Sequence, residues 1–177
     1  MGRKSIKNLI ASYFFINPTT KSRVRELERQ LKLPLPSIIR YCRELEKEGI
    51  LATTKIGIVM FYNADRASKR YLLEKKLFNI RSVYECGLVN HLREELSNPP
   101  IILFGSYARG EDIEESDIDL YIEMHSKKEV DLLKYEKALT RKIQVFRHKS
   151  LADIKNVHLS NNIINGVILN GYIEVFR

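Results

Sequence analysis

The sequence predicts an α/β (α+β) chain of two domains, and three observations lead there. Apolar residues recur at helical spacing through most of the first half, and short β-prone runs take over after Pro99-Pro100. Positive charge is concentrated in the first half: residues 1–97 hold 19 Lys+Arg against 10 Asp+Glu, net +9, whereas residues 98–177 hold 11 against 12, net −1, together the overall +8. A length of 177 residues with 44% hydrophobic content supports globular cores rather than disorder.

The first elements are helices. Ile6, Leu9, Ile10, Tyr13 and Phe14 share one helical face, and Asn17-Pro18 ends that helix. Val24, Leu27 and Leu31 mark a second, short helix beginning near Ser22. A four-residue turn, Leu33-Pro34-Leu35-Pro36, leads to a third with Ile38, Cys42 and Leu45 inward, and Gly49 closes it as a C-terminal cap. Ile50–Thr54 and Ile58–Tyr62 are β-prone and joined through Lys55-Ile56-Gly57, which reads as a hairpin. Three short helices with a tight second turn describe a helix-turn-helix, and the hairpin adds a wing.

Those residues carry a resemblance. Ser37-Ile38-Ile39-Arg40-Tyr41-Cys42-Arg43-Glu44-Leu45-Glu46-Lys47-Glu48-Gly49-Ile50-Leu51 resembles the recognition helix and following strand of archaeal and bacterial winged-helix transcription regulators, a similarity covering about residues 5–64. It implies a DNA-binding winged helix-turn-helix domain over 1–64 and, as in such relatives, a possible homodimer. With Ile38, Cys42 and Leu45 inward, Ser37, Arg40 and Arg43 are left to face the major groove. Lys55 at the hairpin tip, with Arg23 and Lys21 near the second helix, suits phosphates, which give affinity without sequence information. Glu44, Glu46 and Glu48 would repel DNA if they faced it, so a protein-interaction role for this module stays open.

Asp65 to Asn98 reads as helix, with Leu72, Leu73, Leu77, Ile80, Tyr84, Leu88, Leu92 and Leu96 as its stripe and Asn79 and Gly87 as breaks. Residues 65–81 are expected to form a helical linker, with Leu72, Leu73 and Leu77 offered to the wing or to a second subunit. Residues 82–177 form the second domain, whose first helix packs behind a strand at Ile101.

Chemistry concentrates in that second domain. Ile101-Ile102-Leu103-Phe104 ends at Gly105-Ser106, where a helix can start; backbone N–H groups at a helix N-terminus attract anions, and a glycine lets a phosphate approach. In the strand Ile118-Asp119-Leu120-Tyr121-Ile122, preceded by Asp117, the two aspartates share one face while Ile118, Leu120 and Ile122 enter the core. Paired hard oxygens suit Mg2+, which binds through one or two carboxylates plus substrate phosphates.

Gly105-Ser106, ten intervening residues and Asp117-x-Asp119 resemble the signature of the minimal nucleotidyltransferases of the DNA polymerase beta superfamily, and Phe104-Gly105-Ser106-Tyr107-Ala108-Arg109-Gly110-Glu111 matches it residue by residue. The likeness covers about Leu88 to Arg177 and includes a closing helix over Asn161–Leu169. It implies a small mixed-sheet fold in which Asp117 and Asp119 hold Mg2+ or Mn2+ and Gly105, Ser106 and Arg109 bind a nucleoside triphosphate, expected to be ATP. A nucleoside monophosphate then passes to an acceptor hydroxyl. Relatives that adenylylate a toxin partner imply a protein acceptor.

One departure stands out. Relatives place a third carboxylate on a later strand, and in Arg141-Lys142-Ile143-Gln144-Val145-Phe146 that position holds Gln144. Alternation turns it toward Asp117 and Asp119, but an amide brings no charge and takes no proton. Glu123 is on the same strand face but about 13 Å along it, too far to substitute. Asp112, Glu114 and Glu115 are expected in a solvated acidic turn.

The remaining residues narrow the classes. Cys42 and Cys86 have no C-x-x-C partner, so neither a zinc site nor a disulfide framework is expected, and His91, His125, His148 and His158 show no ligand spacing. Apolar runs fall short of the roughly 18 residues of a membrane span, and Met1-Gly2-Arg3-Lys4 opens no signal-peptide core. Gly2 lacks a myristoylation context because Ile6 stands where Ser or Thr is required. A cytoplasmic protein is expected. Three functions remain: a Mg-dependent nucleotidyltransferase with a DNA-binding module, a lapsed transferase fold that senses a nucleotide in a transcription regulator, and an antitoxin-type interaction module.

Overall fold

The computed structural model describes residues 5–126 and 128–174, so Gly2 and the leader read at Met1–Lys4 lie outside the described residues. The chain divides into two units, residues 1–78 and 79–177.

Helix α1 (Ile6–Ile16) starts at Ser5, whose hydroxyl accepts from the Asn8 N–H at 3.2 Å, and ends where the Asn17 N–H and side-chain amide both donate to the Tyr13 carbonyl at 2.9 Å. Helix α2 (Val24–Leu31) is opened by Glu26, whose carboxylate accepts from the Arg23 N–H at 2.9 Å. It begins two residues after Ser22, because Lys21–Ser22 forms a short strand β1 that two residues of sequence do not announce. Helix α3 (Leu35–Lys47) starts inside the expected turn, since Pro36 is tolerated in a first turn. It closes on Gly49 (φ +70°), with Gly49 and Ile50 N–H groups donating to the Glu46 and Leu45 carbonyls, the paired bonds of a Schellman motif.

Strands β2 (Leu51–Ile56) and β3 (Val59–Ala64) pair antiparallel, giving a sheet of order β1-β3-β2. The strands run to a two-residue turn at Gly57-Ile58, so Lys55 is not the tip; it lies in β2 opposite Met60, and Ile58 is 96% exposed. Lys21 lies in β1 opposite Asn63 rather than on α2. The core joins Ile10, Phe14, Leu27, Ile38, Cys42 and Leu45 to Leu51 and Tyr62. Cys42 is buried, which pushes its thiol up to about 12 and fits a packing role.

Helix α4 (Lys69–Glu85) contributes its residues to Phe78 to the first unit and those from Asn79 to the second. Its first part packs rather than merely connecting: Tyr71 is buried and donates to the Phe14 carbonyl at 3.2 Å, and Leu72 and Phe78 join the same core. Leu72 is therefore not spare apolar surface, whereas Leu73 and Leu77 are about half exposed. Asn79 does not break the helix. Gly87 (φ +85°) does, and helix α5 (Leu88–Glu95) follows.

The second unit is built on a sheet of order β6-β5-β4-β7, comprising β4 (Ile101–Phe104), β5 (Ile118–Glu123), β6 (Ile143–His148) and β7 (Val167–Asn170). Only β5 and β6 are parallel, with helix α7 (Leu133–Leu139) in the connection. Leu103, Leu120 and Ile122 form one core with Leu88, Leu92 and Leu139; Ile102, Phe104 and Tyr121 form another with Leu151, Ile154 and Ile163. The expected closing helix at Asn161–Leu169 is corrected. Helix α8 (Val157–Ile164) stops, and Val167–Asn170 returns as β7 against β4. Gly166 makes that return possible, because a Cβ there would stand 2.5 Å from Ile102 Cγ2 and 2.6 Å from the Leu103 carbonyl oxygen. No helix among the described residues is long and apolar enough to cross a membrane.

Candidate functional site

Strand β4 hands the chain to the short helix α6 (Gly105–Arg109) without a side-chain cap, so the first-turn N–H groups of α6 lack that partner. Gly105 has φ +76°, a left-handed conformation that favours glycine. Its missing side chain matters a second time: an added Cβ would overlap the Asp119 carboxylate and lie 3.1 Å from Asp119 Cγ. The expected phosphate-approach turn and the expected metal carboxylate are therefore in direct apposition.

Registers fix the rest. Phe104 is opposite Asp119 across the antiparallel pair, and Asp119 is opposite Gln144 across the parallel one. Gln144 thus shares the Asp119 face, as alternation predicts, and no third acid joins them: among the described residues no group of three or more His, Cys, Asp or Glu is placed to hold a metal ion. Asp117 is exposed and immediately precedes β5; Asp119 is half-buried; Gln144 is exposed. Burial raises the Asp119 pKa, the Asp117 charge raises it further, and the Arg109 guanidinium works in the opposite direction. Arg109 is half exposed, and its Nε donates to Glu111 at 2.7 Å.

The Asp119 carboxylate against a glycine turn, with the Asp117 charge near enough to act on it, has the chemistry to suit a divalent cation. The donor set suits an ion that takes two protein oxygens and completes its shell from substrate phosphates, not one that needs an all-protein cage.

Asp112 is corrected. Instead of a solvated acid it is 1% exposed: Asn79 Nδ2 donates to its Oδ1 at 2.8 Å and to the Tyr107 carbonyl at 2.8 Å, and Arg141 Nη2 is 3.7 Å from its Oδ2. The one sequence signal was a polar Asn79 at a core position of an apolar stripe; Arg141, 29 positions beyond Asp112, gave none.

In the first unit, Ser37 is half-buried while Arg40 and Arg43 are exposed. Arg40, Arg43 and Lys47 line an open groove of about 620 Å³ along α3 with Leu35, Pro36 and Ile39. Sequence reasoning did not single out Lys47, one helical turn beyond Arg43. Arg40 Nε donates to Glu44 at 2.9 Å, and Arg23 forks onto Glu26 at 2.6 and 2.8 Å. Exposed pairs of this kind are screened by water and contribute little, so a phosphate can displace them. Lys21 and Lys55 are both exposed.

Comparison with known proteins agrees with the second unit. The family model described as a nucleotidyltransferase domain matches residues 85–161. A protein of Methanocaldococcus jannaschii, provisionally named a protein adenylyltransferase, is 39% identical over 67 residues, spanning 34% of this chain and 67% of the archaeal one. No solved structure matches the chain.

Proposed function

The chain belongs to the nucleotidyltransferase domain family through residues 85–161, and from that premise we propose that its second unit transfers a nucleoside monophosphate from a nucleoside triphosphate, ATP first among them, to an acceptor hydroxyl. The observation that carries this reading is the apposition of the Asp119 carboxylate and Gly105.

Asp117 and Asp119 would hold Mg2+ or Mn2+. Such an ion, when bound, neutralises phosphate charge and polarises the phosphoryl oxygens. Gly105 brings the turn against the Asp119 carboxylate, where a triphosphate would meet both, and Ser106 adds an N–H and a hydroxyl at the start of α6. Arg109 can leave Glu111 for a phosphate, because both side chains are half exposed. Gln144 can orient an acceptor by hydrogen bonding but cannot take its proton. General-base help, typically worth about 10²- to 10⁴-fold, is absent at that position.

The acceptor is proposed to be a protein hydroxyl, a reading supported by the name of the archaeal relative. The first unit is proposed to be a winged helix that binds DNA. Its sequence carries 17 Lys+Arg against 7 Asp+Glu over residues 1–78, and along α3 Arg40 and Arg43 line one groove with Lys47, which supports the reading; Ser37, half-buried and outside that groove, is proposed to contact DNA from the start of the helix. Arg23, Lys21 and Lys55 would add phosphate contacts. Leu73 and Leu77 are the proposed surface for a homodimer.

Incubation with labelled ATP, Mg2+ and candidate protein acceptors is expected to show label transfer that Asp117→Asn abolishes. A second reading is favoured by Gln144 standing opposite Asp119: a transferase fold that binds nucleotide without turnover and serves a DNA-binding regulator. Nucleotide binding with no label transfer to any acceptor, alongside intact DNA binding, selects that reading.

A further inference from the structure

We propose that Asp112 and Arg141 are positioning residues for the cation site, a buried charge pair that sets the two backbone segments carrying Asp117 and Gln144 against each other. The inference rests on the nucleotidyl-transfer reading above.

Asp112 lies in the loop between α6 and β5, five residues before Asp117, and its side chain is fully buried. Arg141 lies three residues before Gln144 and its side chain is 5% exposed. Their charged groups are 3.7 Å apart, and Asn79 Nδ2 joins Asp112 Oδ1 to the Tyr107 carbonyl within α6 with two contacts of 2.8 Å. Three segments remote in sequence therefore meet at one point: α4, the α6–β5 loop and the start of β6. The Asp112 charge is felt there, since after burial it is the next cause raising the Tyr107 hydroxyl pKa.

From that point the two segments run together into the site. The Ile118 N–H donates to the Lys142 carbonyl at 2.8 Å, and Asp119 comes opposite Gln144 along the same ladder. The loop itself is held by the Ile113 N–H on Ser116 Oγ at 2.9 Å, which leaves Asp117 next in the chain. A buried ion pair adds little stability, because desolvation offsets the attraction, and an apolar pair of similar volume often folds as well or better. What the charges supply is orientation: the Asn79 amide donates to one oxygen of the carboxylate, and the Arg141 guanidinium lies 3.7 Å from the other as a charge partner. Residues behind metal ligands commonly act in this way, and their loss costs about 10- to 100-fold in metal affinity.

The test uses the full chain and Mn2+ itself, with binding read by electron paramagnetic resonance and unfolding by urea. The double variant Asp112→Leu/Arg141→Met removes both charges together and is expected to unfold at or above the native midpoint while binding Mn2+ about 10- to 100-fold more weakly. Should it fail to fold, Asp112→Asn, which keeps an acceptor for Asn79, is read in the same way. Undiminished Mn2+ affinity in a folded variant overturns the inference. A native chain that binds Mn2+ neither alone nor together with ATP overturns the nucleotidyl-transfer reading and this inference with it, a result seen before any substitution is made.

Discussion

The Asp119 carboxylate occupies the space that a side chain on Gly105 would need. A strand acid and a turn glycine fourteen residues apart are therefore one feature, and a side chain at Gly105 requires Asp119 to move. Gly105→Ala is expected to lose about 1–3 kcal/mol in urea unfolding from the left-handed backbone alone. Displacement of Asp119 should also weaken Mn2+ binding, measured by titration of the folded variant.

The raised Asp119 pKa has a pH signature. Because the folded chain holds this proton more tightly than the unfolded chain, Asp119 costs nothing below its ordinary value of 3.8; the cost grows as pH rises from there to the folded value and persists above it. Asp119→Asn should therefore gain stability over the native protein as pH rises from that point, with no gain at lower pH. Urea unfolding across the range checks it, and Mn2+ should narrow the difference at neutral pH by binding the folded native site.

Gln144→Asp restores an acid opposite Asp119. If the native site turns over slowly for lack of that group, label transfer from ATP should rise about 10²- to 10⁴-fold. An unchanged rate would show that the missing ligand or base comes from the substrate.

DNA affinity should fall roughly tenfold or more in Arg40→Ala, and Lys55→Ala should weaken all sequences alike while lowering the salt slope by about 1. Glu44→Ala should act oppositely to Arg40→Ala, since it frees Arg40 and removes a negative charge from the groove. Fluorescence anisotropy at several salt concentrations separates these effects.

Gly166→Ala forces a methyl group onto the Leu103 carbonyl oxygen and Ile102, so α8 and β4 must part. A loss of about 1–3 kcal/mol is expected, read by urea unfolding.

Periodicity explains which parts were legible beforehand. The helices around Ile10, Leu27 and Ile38 repeat a stripe long enough to read, and alternation around Gln144 was enough to orient it before any register was known. Strand β1 has only two residues and no period. The residues of β7 read as helix in the sequence because Asn161–Leu169 is apolar at helical spacing as well, and what ends α8 is the fit of Gly166 against β4, a tertiary fact. The turn at Gly57-Ile58 was placed early because β-propensity fades at Lys55 before pairing does. Asp112 looked solvated among its acidic neighbours, since its partners Asn79 and Arg141 are 33 and 29 positions away.

Strand β6 is outermost in its sheet, and Gln144 points outward from it while Ile143 and Val145 pack inward. Its side chain is exposed, so exchanging the amide for a carboxylate there asks nothing of the interior. A substitution at Gln144 therefore changes the chemistry offered beside Asp119 while leaving the packed layers as they are, so folding and turnover can be read independently at this one rim position.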